Sequence, residues 1–400
     1  MIGFAEGIDE RLGFLPQAVA RLHAPIWLHA ASVGEVLAAE PLIRVLRVRY
    51  PKRELLLTTT SLTGRRTARE RLPVDAVMLL PLDLPPIVGS VMRRLRPQAL
   101  ILIETEIWPS LLRAAERQGV PTALVSGRIS ERTARRYRLA HRWFARTLGR
   151  LSVLAMQSAE DAGRLVAAGA PHERVRVLGN LKFARSACDS AGTATSALRV
   201  DRHRTVLIAA STHAGEEPLV LESCTELLRA DPTLLLILAP RRPERFDEVA
   251  GLLQTSGLRW SRHSRSPESV PDDTQVLLLD SIGELPALLP LARGVYVGGT
   301  LGSVGGHNVL EPAIYGKPVV FGPDTAKVEE QATALLAVGG ARRIHDAEQL
   351  RQEWGAWIAD PQLARRAGEA GRALVESRAK VAEEIADTLA PLLSASRTLS

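Results

Sequence analysis

Trp27-Leu28-His29-Ala30-Ala31-Ser32-Val33-Gly34-Glu35 carries a short apolar run straight into a helix-forming stretch. Ser32 is a good helix N-cap, and Glu35, three positions on, completes the spacing of a capping box. Gly34 relaxes the tight turn between the two elements. The run 26–32 reads as a strand buried on both faces, and residues 36–49 follow with a helical pattern.

The same strand-then-helix unit repeats outward from this stretch. Further apolar runs occupy 55–61, 76–83, 99–106, 122–128, 153–158 and 175–182, with helical patterns between them, such as 159–168. A soft Ser/Ala/Gly-rich segment, 184–195, interrupts the rhythm and reads as a linker. The rhythm restarts at 205–210, 233–240, 276–280, 294–299 and 318–322, and the last sixty or so residues are helical. An alternating β/α order specifies parallel sheets flanked by helices. The expectation is an α/β chain of two Rossmann-like, doubly wound domains, 1–184 and 201–400, joined by 185–200, with a cleft between them. The last helix is a candidate to return to the first domain.

Composition narrows the class. Four hundred residues with 46% hydrophobic but only 4% aromatic content must pack with aliphatic side chains. The net charge of +7 admits anionic partners without choosing among them. The two cysteines, Cys188 and Cys224, have neither metal-ligand nor disulfide spacing and read as neutral thiols of a reducing compartment. No run reaches the length of a membrane span, and the first residues lack the pattern of a signal peptide. Any membrane contact is therefore expected at the surface.

The candidate chemistry sits at strand ends, where open α/β sheets bind ligands. Glu35 is either a helix cap or a general base. Glu104 and Glu106 end the run 99–106, and Glu104 is taken as the member facing the cleft. Lys182 ends the first domain, able to neutralise a carboxylate or phosphate. Gly298 to Gly306 form a glycine-rich turn, including Gly305 and Gly306, ahead of His307, Asn308, Val309, Leu310 and Glu311. Glycines allow close approach of backbone to ligand, a helix starting near Asn308 would receive a phosphate, and Glu311 could bind a ribose diol. Arg241 and Arg242, then Ile282, Gly283 and Glu284, and Ser211 and Thr212 occupy other strand ends of the second domain. No metal-ligand cluster is present, so chemistry without a metal or other cofactor is expected. Residues 128–150 carry eight arginines with Tyr137, Trp143 and Phe144 among them, a pattern that suits an anionic membrane surface or phosphorylated lipid. A nucleic-acid surface and a simple solvated helix are the competing readings.

As a set, segments 29–35, 58–64, 104–109, 126–132, 157–161, 179–183, 211–217, 240–246, 283–285 and 305–311 resemble the motifs of 3-deoxy-D-manno-octulosonic acid (Kdo) transferases, in order along nearly the whole chain. The resemblance implies a GT-B fold and inverting transfer of Kdo from CMP-Kdo to lipid IVA, in lipopolysaccharide inner-core synthesis. It implies Glu35 as base and Glu104 and Lys182 as stabilisers of the transition state. Arg241, Arg242, Ile282 to Glu284 and Asn308 to Glu311 would hold CMP. It places the protein at the cytoplasmic face of the inner membrane, peripheral here because the apolar anchor common in the family is not seen before residue 1. The family commonly has His where Arg242 stands. Other GT-B enzymes, such as UDP-sugar 2-epimerases or UDP-GlcNAc transferases, would share the architecture. A nucleic-acid-binding protein would share the charge, but strand-end carboxylates and glycine loops count against it, so no nucleic-acid partner is expected.

Overall fold

The computed structural model describes residues 6–104, 106–139, 141–184 and 198–394. The chain divides into two compact units, Met1–Arg185 with Arg378–Ser400, and Ser186–Ser377. Most of the expected linker, 185–197, and Cys188 with it, lie outside the described residues.

The first unit holds seven strands: β1 Ile26–His29, β2 Leu55–Thr59, β3 Ala76–Leu79, β4 Ala99–Ile103, β5 Thr122–Gly127, β6 Val153–Met156 and β7 Val175–Val177. They pair in parallel in the order β3-β2-β1-β4-β5-β6-β7. The strands are aliphatic throughout because both faces are covered. Trp27, Leu56, Leu100 and Leu102 join the core on one face, and Ile26, Leu28, Leu55, Leu57 and Ile101 the core on the other. Each such fully buried side chain contributes about 1.5–3 kcal/mol. The helix Val381–Ser394 belongs to the second of these cores through Val381, Ile385, Ala386 and Leu389. That is why the chain's last segment groups with its first.

The second unit holds β8 Thr205–Thr212, β9 Leu234–Pro240, β10 Trp260–Arg262, β11 Val276–Leu278, β12 Ala292–Val297, β13 Val319–Phe321 and β14 Ala341–Arg343, all parallel, in the order β10-β11-β9-β8-β12-β13-β14. Two strands, β10 and β14, were not expected. Each is three residues long, lies at a sheet edge and carries an arginine, so neither reads as an aliphatic run. The run 175–182 also proved shorter than expected, with only Val175–Val177 in the sheet.

Helix starts follow their caps. Ser32, Ser61, Ser158 and Asp346 each accept a backbone N–H from the third residue on. The helix expected from residue 36 therefore begins at Val33. The basic stretch is helical over Glu131–Leu139 and His141–Leu148. Cys224 is buried, which pushes its thiol up to about 12 and keeps it protonated.

Candidate active site

In each sheet the strand order reverses between two neighbours, and the crevice at their carboxyl ends is where such folds take ligands. In the first unit that switch point lies between β1 and β4. The hydroxyls of Thr59 and Thr60 each donate to Ala31 O at 2.8 Å, fixing the turn after β1. Ser32 then caps the helix, and Glu35 folds back over the turn. Its Oε2 accepts from Ala31 N–H at 2.7 Å and its Oε1 from Ser32 Oγ at 2.9 Å. Burial raises its pKa, the two hydrogen bonds pull the other way, and the charges of Glu104 and Glu106 raise it further. Each oxygen keeps a second lone-pair direction. Glu35 is thus a cap and a more basic carboxylate than an ordinary glutamate.

β4 delivers the neighbouring charges. Glu104 sits at φ 57°, in the left-handed region that costs a non-glycine residue energy. It pairs with Lys182 Nζ at 2.8 Å. Glu106 lies 3.8 Å from Nε2 of His29, whose Nδ1 is held by Thr58 Oγ1 at 3.0 Å. The His29 ring meets the Trp108 ring edge-on, centroids 5.9 Å apart. The expectation singled out Glu104 over Glu106, yet both charges reach Glu35. Glu106, the other acid of that strand end, thus belongs to the crevice, as do His29 and Trp108, which lie in segments 29–35 and 104–109 but were not themselves chosen as candidates.

In the second unit the switch point lies between β8 and β12. Its organiser is the buried carboxylate of Glu216. Oε1 accepts from Tyr296 OH at 2.8 Å, Thr300 N–H at 3.0 Å and Leu301 N–H at 3.1 Å. Oε2 accepts from Gly299 N–H and His213 N–H, both at 2.8 Å. One carboxylate thereby ties the glycine-rich turn to the end of β8. Gly298 is required at that junction, because a Cβ there would lie 2.6 Å from Ser211 O. Ser211 itself is strained, at φ 56°.

The resulting pocket is lined by Ser211, Arg241, His307, Asn308, Glu311 and Leu289 among others. Four of the expected residues, Ser211, Arg241, Asn308 and Glu311, are thus brought together. Thr212, Val309 and Leu310 are buried and do not line it. Nor do Arg242, Ile282, Gly283 and Glu284. Ile282 is exposed, and Glu284 instead holds Nε2 of His263 at 3.0 Å. Gly305 and Gly306 shape the turn at φ 89° and 86°, with Gly305 N–H donating to Asp324 Oδ2 at 2.7 Å. The helix expected near Asn308 is short, Leu310–Ile314, and Leu310 N–H is already taken by Asn308 Oδ1 at 3.2 Å. Side chains, more than a helix dipole, define this pocket.

His307 is the lining residue that spacing alone did not single out. Its Nε2 lies 2.7 Å from Nε2 of His213, with ring centroids 5.0 Å apart and planes within 12°. That is the edge-to-edge geometry of a shared N–H···N bond, which holds one proton. Burial, then His213 and Arg241, push His307 down to about 4. The pocket wall is therefore a neutral imidazole beside a permanent cation. Among the described residues no group of three His, Cys, Asp or Glu side chains is placed to hold a metal.

Comparison with known proteins identifies the chemistry. A family model described as 3-Deoxy-D-manno-octulosonic-acid transferase (kdotransferase) matches residues 6–185. The chain is 34% identical over 397 residues to the 3-deoxy-D-manno-octulosonic acid transferase of Haemophilus influenzae, covering 98% of this chain and 92% of that one. The chain belongs to the Kdo transferase family. The enzyme of the same name from Bordetella pertussis is 35% identical over 384 residues, covering 93% and 88% of the two chains. The transferase has the two-unit GT-B architecture. Its fold matches the UDP-GlcNAc 2-epimerase of Neisseria meningitidis with a TM-score of 0.62 at 13% identity, over 92% of this chain and 100% of that one. At that identity the likeness extends to fold alone. The transferase is thus a glycosyltransferase of lipopolysaccharide biosynthesis.

Proposed function

We propose that this transferase moves Kdo from CMP-Kdo to lipid IVA with inversion, and that Glu35 is the general base. The observation that carries the reading is the Glu35 carboxylate, held by two hydrogen bonds at the β1/β4 switch point and made more basic by burial and by Glu104 and Glu106.

The acceptor hydroxyl gives its proton to a Glu35 oxygen as its own oxygen bonds to the anomeric carbon of Kdo. The bond from that carbon to the phosphate oxygen breaks, and CMP leaves with the electron pair. Arg241 meets the growing negative charge on the phosphate, assisted by the Ser211 hydroxyl, and Glu311 accepts from the ribose diol. Glu104 offsets positive charge developing on the sugar ring, and Lys182, its ion-pair partner, holds that carboxylate in place. The reaction proceeds without a metal, so activity survives a chelator.

The acceptor is a phosphorylated lipid, and the helices Glu131–Leu139 and His141–Leu148 suit a peripheral position on the anionic cytoplasmic face of the inner membrane. They present Arg132, Arg135, Arg142 and an exposed Trp143. Among the described residues no helix is long and apolar enough to cross a membrane. The test is mass spectrometry of lipid IVA after incubation with the protein, freshly generated CMP-Kdo and EDTA. The expected product carries added Kdo. Unchanged lipid IVA, with CMP-Kdo intact and the protein folded, would refute the assignment of donor and acceptor.

A further inference from the structure

The second sheet has another pocket, at the end opposite to the donor pocket. It opens where the amino ends of β8, β12 and β13 lie side by side, and Arg204, Arg293, Lys317 and Arg365 line it with no carboxylate among the lining residues. Two of these cations are occupied. Arg204 donates to the carbonyls of Leu234, at 2.9 Å, and Thr274, and Arg365 pairs with Glu369 at 3.0 Å. Arg293 and Lys317 are different: among the described residues neither side chain meets a carboxylate. Both are half-buried. Burial depresses the Lys317 pKa and the nearby Arg293 charge depresses it further.

Withdrawing an ammonium from water beside a second cation is unfavourable unless an anion compensates. Nothing in the proposed transfer uses these residues. Val206 lines this pocket and Ser211 the other, five residues along one strand, or about 17 Å.

We infer that this pocket is a second anion site, that its ligand is a phosphate group, and that Lys317 and Arg293 are its principal ligands. A guanidinium fork beside a point-charge ammonium suits a tetrahedral oxyanion that carries more than one charge. The phosphate belongs either to free phosphate in solution or to a phosphomonoester lipid headgroup.

The experiment follows the melting temperature of the full chain as sodium phosphate replaces sodium chloride at constant ionic strength. In parallel, flotation is measured with phosphatidylcholine vesicles with and without phosphatidic acid. Lys317→Met should melt above wild type in chloride, because it removes an uncompensated charge. Its midpoint phosphate concentration should rise about tenfold or more, the loss of one charge-assisted hydrogen bond. Arg293→Gln is the second variant and should weaken the response in the same direction. A phosphate response in wild type that both variants lose assigns the site to free phosphate. A loss seen only with phosphatidic acid vesicles assigns it to a lipid headgroup. Wild type that ignores both, or variants that respond as wild type does, would overturn the site.

Discussion

The two switch points share a geometry and differ in charge. Each lies where the strand order reverses, and each begins with a turn held by a glutamate near a helix start. At β1/β4 the glutamate is Glu35, whose two hydrogen bonds leave room for a third partner, among two more carboxylates. At β8/β12 it is Glu216, whose oxygens are saturated by five donors, next to Arg241 and a neutral His307. The same residue type has spare acceptor capacity and a raised pKa in one place and is a structural brace in the other. What separates them is the number of N–H and O–H groups aimed at the carboxylate. A carboxylate with spare lone pairs and raised pKa can take a proton; one with every position filled holds a loop still.

That contrast can be broken in several ways. The largest effect is expected for Glu35→Gln, which keeps the size of the side chain and one oxygen to accept from Ala31 N–H but removes the proposed base. Transfer should fall about 10² to 10⁴-fold while the melting temperature stays near wild type. Kinetics and thermal denaturation of the same preparation check both halves. Arg241→Ala should weaken CMP binding about tenfold to a hundredfold, read by calorimetric titration, through loss of the proposed charge-assisted contact of Arg241 to the phosphate. Gly298→Ala should destabilise by about 1–3 kcal/mol in urea denaturation, since the new Cβ must push the Ser211 carbonyl aside.

The smallest effect sharpens the comparison most. Ser32→Ala removes a helix cap, about 1 kcal/mol, and also one of the two hydrogen bonds that hold the Glu35 pKa down. Glu35 should then ionise at still higher pH, so the acid limb of the rate profile should move upward. Because the raised Glu35 pKa favours the protonated form in the folded protein, its contribution to stability is present at low pH and lost as pH rises through that pKa. His307 has the opposite sign. Its pKa is depressed to about 4, so its contribution is present above the imidazole range and lost as pH falls toward 4.

Much of this was legible in the sequence because parallel strands covered on both faces read as aliphatic runs, and Ser32 with Glu35 announced a helix start. The edge strands Trp260–Arg262 and Ala341–Arg343 gave no such run. The His213–His307 pair joins residues 94 apart, a contact no local spacing reports. Glu216 looked like any acid in a first helical turn, and only the folded glycine loop reveals its partners. Val309 and Leu310 hold motif positions that suggested a ligand role, and their apolar side chains lie in the core, which leaves only their backbone to meet a ligand.

The most direct test is to titrate the Glu35 carboxyl itself by carbon NMR on glutamate-labelled protein, assigned by comparison with Glu35→Gln. The predicted midpoint lies above the ordinary glutamate range and rises again in Ser32→Ala. A midpoint at or below that range would mean Glu35 is only a cap, and the proton acceptor would have to be sought elsewhere.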